Sequence, residues 1–155
     1  MDWKEGCRYV LLSRTLDDLE VTQLTPQGKV KYQFSAGWHE LAQVLLARSL
    51  NHPHDAAAVY YRSRPFALAA GLTIEEALTG SLARANNPSE GRDTGVLFNL
   101  PARGALTILP ASGNVGAQYT PAVGWAQAIH YRQTVMNEAD WQGAIAVATG
   151  GEGSV

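Results

Sequence analysis

The sequence predicts an α/β fold, a parallel sheet flanked by helices. Two short apolar runs, Ala56–Tyr60 and Ala144–Ala148, have the composition of strands, and the second leads at once into the glycine turn Gly150-Gly151-Glu152-Gly153. The stretches before and between them carry apolar residues at helical spacing, and helices alternating with strands in this order build a parallel sheet. With 155 residues, 46% of them hydrophobic, the chain suits one domain with a sizeable core.

Tyr9, Val10, Leu12, Leu16, Leu19 and Val21 recur at helical spacing, with Arg14, Asp17, Asp18 and Glu20 between them. They predict an amphipathic helix that ends before Pro26-Gln27-Gly28. A second helix is expected from Trp38 to Leu50, with Trp38, Leu41, Val44, Leu45 and Ala47 on its apolar side. Asn51-His52-Pro53-His54-Asp55 reads as a loop leading into the first strand. Thr73-Ile74-Glu75-Glu76 is a capping-box pattern that opens a third helix over Glu75 to Ala85. From Asn86 to Asn114 prolines and glycines predict an irregular segment, long enough to suggest a flap over a site. Gly116 to Gln133 reads as a mostly buried helix, with Pro121 tolerated in its first turns, and Asp140 to Gly143 turns the chain into the last strand, expected to be buried.

Several classes of function are disfavoured. The formal net charge is -2 and no Lys/Arg run occurs, so neither a nucleic-acid nor an anionic-membrane surface is signalled. The polar start Met-Asp-Trp-Lys-Glu-Gly does not resemble a secretory signal, and the apolar stretches are too short to span a bilayer. Cys7 has no second cysteine to pair with, which fits a reducing cytoplasm.

Four short elements offer chemistry. Tyr61-Arg62 follows the first strand, and an arginine at the carboxyl end of a strand suits a phosphate, which its fork grips through two oxygens; taken alone, Arg62 reads sooner as a surface arginine. Gly113-Asn114-Val115-Gly116-Ala117-Gln118 is a glycine turn opening a helix, able to bind an anion or approach a flat ring, or simply a loop-to-helix junction. Gly151-Glu152-Gly153 places one carboxylate between glycines at a strand's end, which suits a Mg²⁺ ion that bridges phosphate oxygens. Gly37-Trp38-His39-Glu40 puts a His-Glu pair at a helix start, where His39 also reads as a packing histidine.

In combination these elements resemble the α-subunit portion of the thiamine-diphosphate-dependent 2-oxo acid dehydrogenases, over about Trp38 to Val155. Gly37-Trp38-His39-Glu40 resembles the family's Gly-Gln-Glu helix start, and Pro88-Ser89-Glu90-Gly91-Arg92 its Pro-Ser-x-Gly-Arg segment. The resemblance implies that Tyr61 and Arg62 touch the cofactor diphosphate, that Gly113 and Val115 contact the aminopyrimidine, and that Gly151-Glu152-Gly153 opens the cofactor motif, with Glu152 on Mg²⁺. That motif is usually Gly-Asp-Gly; glutamate in the middle occurs in branched-chain members, which favours a branched-chain 2-oxo acid over pyruvate.

Further implications are oxidative decarboxylation of that acid, transfer of the acyl group to a lipoyl acyltransferase component, and a β-type subunit or fused β portion as partner. The family's histidine beyond the Gly-Arg pair has no counterpart in Val96-Leu97-Phe98, which bears on substrate identity. The motif's downstream Asn-Asn, with the second Mg²⁺ ligand, would lie past Val155. Residues 1–155 therefore read as a partial thiamine-diphosphate-binding domain, with residues 1–36 a helical arm within it, and as inactive alone. A transketolase-like or non-oxidative thiamine enzyme, and a non-catalytic interaction fragment, are the competing readings.

Overall fold

The computed structural model describes residues 2–92, 98–103, 105–110 and 112–154. They form two compact units, Met1–Ser49 with Tyr61–Phe98, and Leu50–Tyr60 with Asn99–Val155.

The first unit is helical. Its α1, Trp3–Leu19, begins where the Asp2 side chain accepts the Lys4 N–H at 2.9 Å. The helix starts earlier than its apolar periodicity predicts, and it continues into a π-turn, Glu20–Leu24, where the Thr25 N–H reaches back to the Glu20 carbonyl at 2.8 Å. It stops before Pro26, as expected.

Helix α2, Glu40–Ser49, corrects the predicted apolar side. Val44 and Ala47 are buried, but so are Glu40 and Gln43, while Trp38 is 93% and Leu41 49% exposed. The polar residues can face inward because they are partnered. Glu40 Oε1 accepts from Arg14 Nη2 at 2.8 Å and Nε at 3.0 Å, which joins α2 to α1.

Helix α3, Arg64–Ala69, was not legible as a helix, because all six residues are buried and no polar face sets a period. It packs on α1 and α2. Helix α4, Ile74–Ser81, has the predicted capping box, Glu76 N–H to Thr73 Oγ1 at 3.1 Å and Thr73 N–H to Glu76 Oε2 at 2.9 Å, and ends short of Ala85.

A buried ion cluster fastens this unit. Arg64 Nη1 donates to Asp17 Oδ1 at 2.5 Å, and Nη2 to both Glu20 carboxylate oxygens at 2.6 Å and to Ser81 Oγ at 3.2 Å. Burial holds the Asp17 carboxyl above the usual carboxylate value; the Ser35 hydroxyl, the Arg64 guanidinium and the Ala36 N–H pull it back, and the Glu20 charge adds to the rise.

The second unit holds the parallel sheet. Strand β1, Ala56–Ala58, lies between β2, Thr107–Ile108, and β3, Ala146–Ala148, parallel to both. Ala56 faces Thr107 on one side and Ala146 on the other. The central strand of three alanines is fully buried, whereas β3, at an edge, is half-buried rather than buried as predicted. β2 falls inside the stretch predicted as irregular, two residues being too few to display alternation.

Asp55 organises the strand starts. Its Oδ1 accepts the Ile145 N–H at 2.7 Å, its Oδ2 the His52 N–H at 2.8 Å, and its carbonyl the Thr107 N–H at 2.9 Å. Helix α5, Tyr119–Thr134, packs on β1 and β3 with Ala122 and Trp125 over Ala56, Ala58, Leu109 and Ala148. It was expected to be mostly buried, yet only Ala122 and Ile129 are, because it covers the sheet with one stripe and leaves Val123, Gly124 and Ala126 exposed. Among the described residues no helix is long and apolar enough to cross a membrane.

Candidate functional site

Tyr61 and Arg62 occupy the turn that precedes α3, in the first unit. The Tyr61 ring meets Phe34 edge-on, with centroids 5.0 Å apart and planes at 61°. The Arg62 guanidinium lies 5.4 Å from each of these two ring centroids, a cation–π arrangement on both. Arg62 Nη1 donates to the Ser35 carbonyl at 2.6 Å, and the Arg62 carbonyl accepts from Gln43 Nε2 at 2.8 Å. The other guanidinium N–H groups have no hydrogen-bond partner among the described residues, so a half-buried cation keeps donors available for an anion.

Gly113, Val115, Gly151, Glu152 and Gly153 belong to the second unit. Here the structure joins the loop before α5 to the turn after β3. Gln118 Nε2 donates to the Thr149 carbonyl at 3.0 Å, and Tyr119 Oη shares a hydrogen bond with Ser154 Oγ at 2.8 Å. Gly116, at φ +85°, lets the loop bend into the helix beside the Ser154 carbonyl. Val115 projects an apolar side chain that is 62% exposed. Glu152 opens a short 3₁₀ turn, Glu152–Ser154, and its exposed carboxylate has no hydrogen bond or ion pair among the described residues.

The crowded glycine is Gly150, which carries no assignment from the sequence. A Cβ there would collide with Tyr119 Oη, Ser154 Oγ and Gln118 Nε2, whereas at Gly113, Gly151 or Gly153 it would meet nothing within 4 Å. Gly150→Ala is therefore expected to break the Tyr119–Ser154 bond and to speed exchange of the Ser154 amide, which donates to the Gly151 carbonyl at 3.0 Å, several-fold, while Gly151→Ala leaves it unchanged. Equal exchange in the two variants would show that the turn does not depend on this close approach.

The remaining motifs fall as follows. Trp38 takes a left-handed φ of +71° just before α2, a conformation that strains a bulky residue, with the Arg14 guanidinium 5.6 Å from its ring. His39 is exposed. In the Pro88–Arg92 segment the Ser89 N–H and hydroxyl both donate to Asn87 Oδ1 at 2.8 Å. Residues 93–97 lie outside the described residues, so of Val96-Leu97-Phe98 only Phe98 is seen, and it is buried. No group of three or more His, Cys, Asp or Glu among the described residues is placed to hold a metal ion.

A guanidinium with unused donors suits a diphosphate, and the exposed Glu152 carboxylate is one anionic oxygen donor of a kind Mg²⁺ takes, without a second such group assembled beside it among the described residues. The chemistry of Arg62 fits a diphosphate; for Mg²⁺ the described residues offer a single carboxylate. The sequence matches the family model described as dehydrogenase E1 component over residues 7–154. That match takes in both units, the Tyr61-Arg62 turn and the glycine turns before α5 and after β3, and the chain belongs to the dehydrogenase E1 component family, the thiamine-diphosphate-dependent components of 2-oxo acid dehydrogenases.

Proposed function

We propose that this chain supplies α-type cofactor-binding residues to an enzyme that oxidatively decarboxylates a branched-chain 2-oxo acid in preference to pyruvate and passes the acyl group to a lipoyl carrier. The supporting observation is Arg62, whose guanidinium is held against two aromatic rings with donors still available. Its charge and that of the diphosphate attract, and the rings restrict the side chain before the anion arrives, which lowers the entropy lost on binding.

Tyr61 flanks the same anion. Val115 offers its exposed isopropyl group to the aminopyrimidine, and Gly113 offers a backbone that lacks a side chain in the way. Glu152 contributes one oxygen to Mg²⁺, with Gly151 and Gly153 leaving the backbone beside it unobstructed. When bound, thiamine diphosphate supplies the carbanion chemistry of decarboxylation. None of these residues transfers a proton; they bind and orient. A β-type subunit or fused β portion and a lipoyl acyltransferase component are the partners this reading requires, and the cytoplasm is the compartment it favours. The branched-chain preference rests on glutamate at the centre of Gly151-Glu152-Gly153.

A Mg²⁺ titration of cofactor affinity in the complete enzyme tests the metal assignment. Glu152→Gln should raise the Mg²⁺ needed for half-maximal binding by at least about tenfold, while Glu152→Asp, which keeps the charge, should lie near the wild type. Equal Mg²⁺ dependence of wild type and Glu152→Gln would remove Glu152 from the metal. In the same preparation, a higher kcat/KM for pyruvate than for a branched 2-oxo acid would overturn the substrate assignment.

A further inference from the structure

Asp17 points in two directions. Its Oδ1 takes the Arg64 N–H, while its Oδ2 accepts from the Ser35 hydroxyl at 2.7 Å and from the Ala36 N–H at 3.0 Å. Ser35 Oγ accepts in turn from the Gly37 N–H at 3.0 Å. Residues 32–36 have no helix or strand, so no ladder of backbone hydrogen bonds holds them in place. The Asp17 carboxylate does this instead, and it is itself held in the core by Arg64.

The anchored stretch is also what Arg62 and Tyr61 rest on. The Ser35 carbonyl accepts the one hydrogen bond that the Arg62 guanidinium makes among the described residues, and Phe34 lies against both the Tyr61 ring and the guanidinium. A connected path therefore runs from Glu20 and Arg64 through Asp17 and Ser35 to Arg62, entirely within the first unit.

We propose that Asp17 and Ser35 are positioning residues for Arg62, fixing through the Ser35 backbone the direction in which the guanidinium presents its remaining donors to the cofactor diphosphate. The inference rests on the reading of Arg62 as a diphosphate ligand. An arginine side chain has several rotatable bonds, and an anion that must also order them binds more weakly than one that meets a guanidinium already placed. Ser35→Ala keeps the accepting carbonyl and the Ala36 N–H bond to Asp17, and removes the hydroxyl's bonds to Asp17 and to the Gly37 N–H. An effect on Arg62 would then come through position and not through loss of the Ser35–Arg62 bond itself.

The test is a double-mutant cycle in the complete enzyme. It reads thiamine diphosphate affinity at saturating Mg²⁺ by equilibrium titration, for wild type, Ser35→Ala, Arg62→Ala and the pair. Ser35→Ala should weaken affinity about fivefold in the presence of Arg62 and by less than about twofold in its absence, the non-additivity expected of groups in one hydrogen-bond network. Ser35→Thr, which keeps the hydroxyl, should restore most of the loss. A purely structural role for Ser35 would cost the same in both backgrounds, and that result, or no loss in either, overturns the positioning role while leaving Arg62 as a ligand. If Arg62→Ala alone binds the cofactor as tightly as wild type, the diphosphate reading fails and the proposal falls with it. Should Ser35→Ala not fold, Ser35→Cys, close in volume and a weaker hydrogen-bond donor, run through the same cycle carries the same outcomes.

Discussion

Arg64→Met is expected to destabilise the protein by about 3–5 kcal/mol, the scale for removing one partner from a buried ion pair. The side chains of Arg64, Asp17 and Glu20 are 7%, 6% and 1% exposed, so two carboxylates would be left close together out of water with no cation between them. Methionine fills much of the volume of the arginine stem, which keeps cavity formation from dominating the result. Urea unfolding of the assembled protein measures the loss.

The loss should also grow with pH. Burial already holds Asp17 above the usual carboxylate value, and Arg64 is one of the groups that pull it down. Without Arg64 the folded chain keeps the Asp17 proton at a pH where the unfolded chain has released it, so stability falls as pH rises from about 4 through the raised value. A loss below about 1 kcal/mol, the scale of exposed ion pairs, would mean that water reaches the cluster.

Arg62→Ala is expected to weaken thiamine diphosphate binding by about 2–4 kcal/mol in the complete enzyme, the scale for truncating one member of a desolvated charge pair. The donors that Arg62 leaves without partners are the reason to expect an effect of this size from one side chain. Arg62→Lys should fall between the two, since it keeps the charge but loses the planar fork that grips two oxygens at once. Equilibrium titration at fixed Mg²⁺ provides the measurement, and unchanged affinity in Arg62→Ala would detach Arg62 from the diphosphate.

Much of the site's raw material is legible in the chain because it is local. Thr73 and Glu76 stand three residues apart, so their reciprocal cap can be read from spacing alone, and it forms as read. The runs Ala56–Tyr60 and Ala144–Ala148 announce strands through composition, and they pair with each other in parallel as β1 and β3. The Tyr-Arg and glycine motifs likewise sit on adjacent residues, and they led to the family that the match over residues 7–154 shows. Periodicity served less well where burial did not follow a simple stripe. α2 turns Glu40 and Gln43 inward while Trp38 stays in solvent, and the polar residues can do so only because their partners come from elsewhere in the chain.

The sequence by itself determined the α/β class, the longer helices, strands β1 and β3, the capping box and the motifs that hold Tyr61, Arg62, Gly113, Val115 and the Gly151-Glu152-Gly153 turn, but not helix α3 or strand β2. Tertiary structure decided which charged residues enter the core, and it made Gly150 the crowded glycine of its turn. Arg64 meets Asp17 across 47 residues and Glu20 across 44, and Gln118 meets Thr149 across 31. Propensity and spacing act over a few residues, set by the reach of a backbone hydrogen bond and one helical turn. A buried charge, by contrast, is tolerated only where the folded path brings it an opposite charge, and that path is a property of the whole chain.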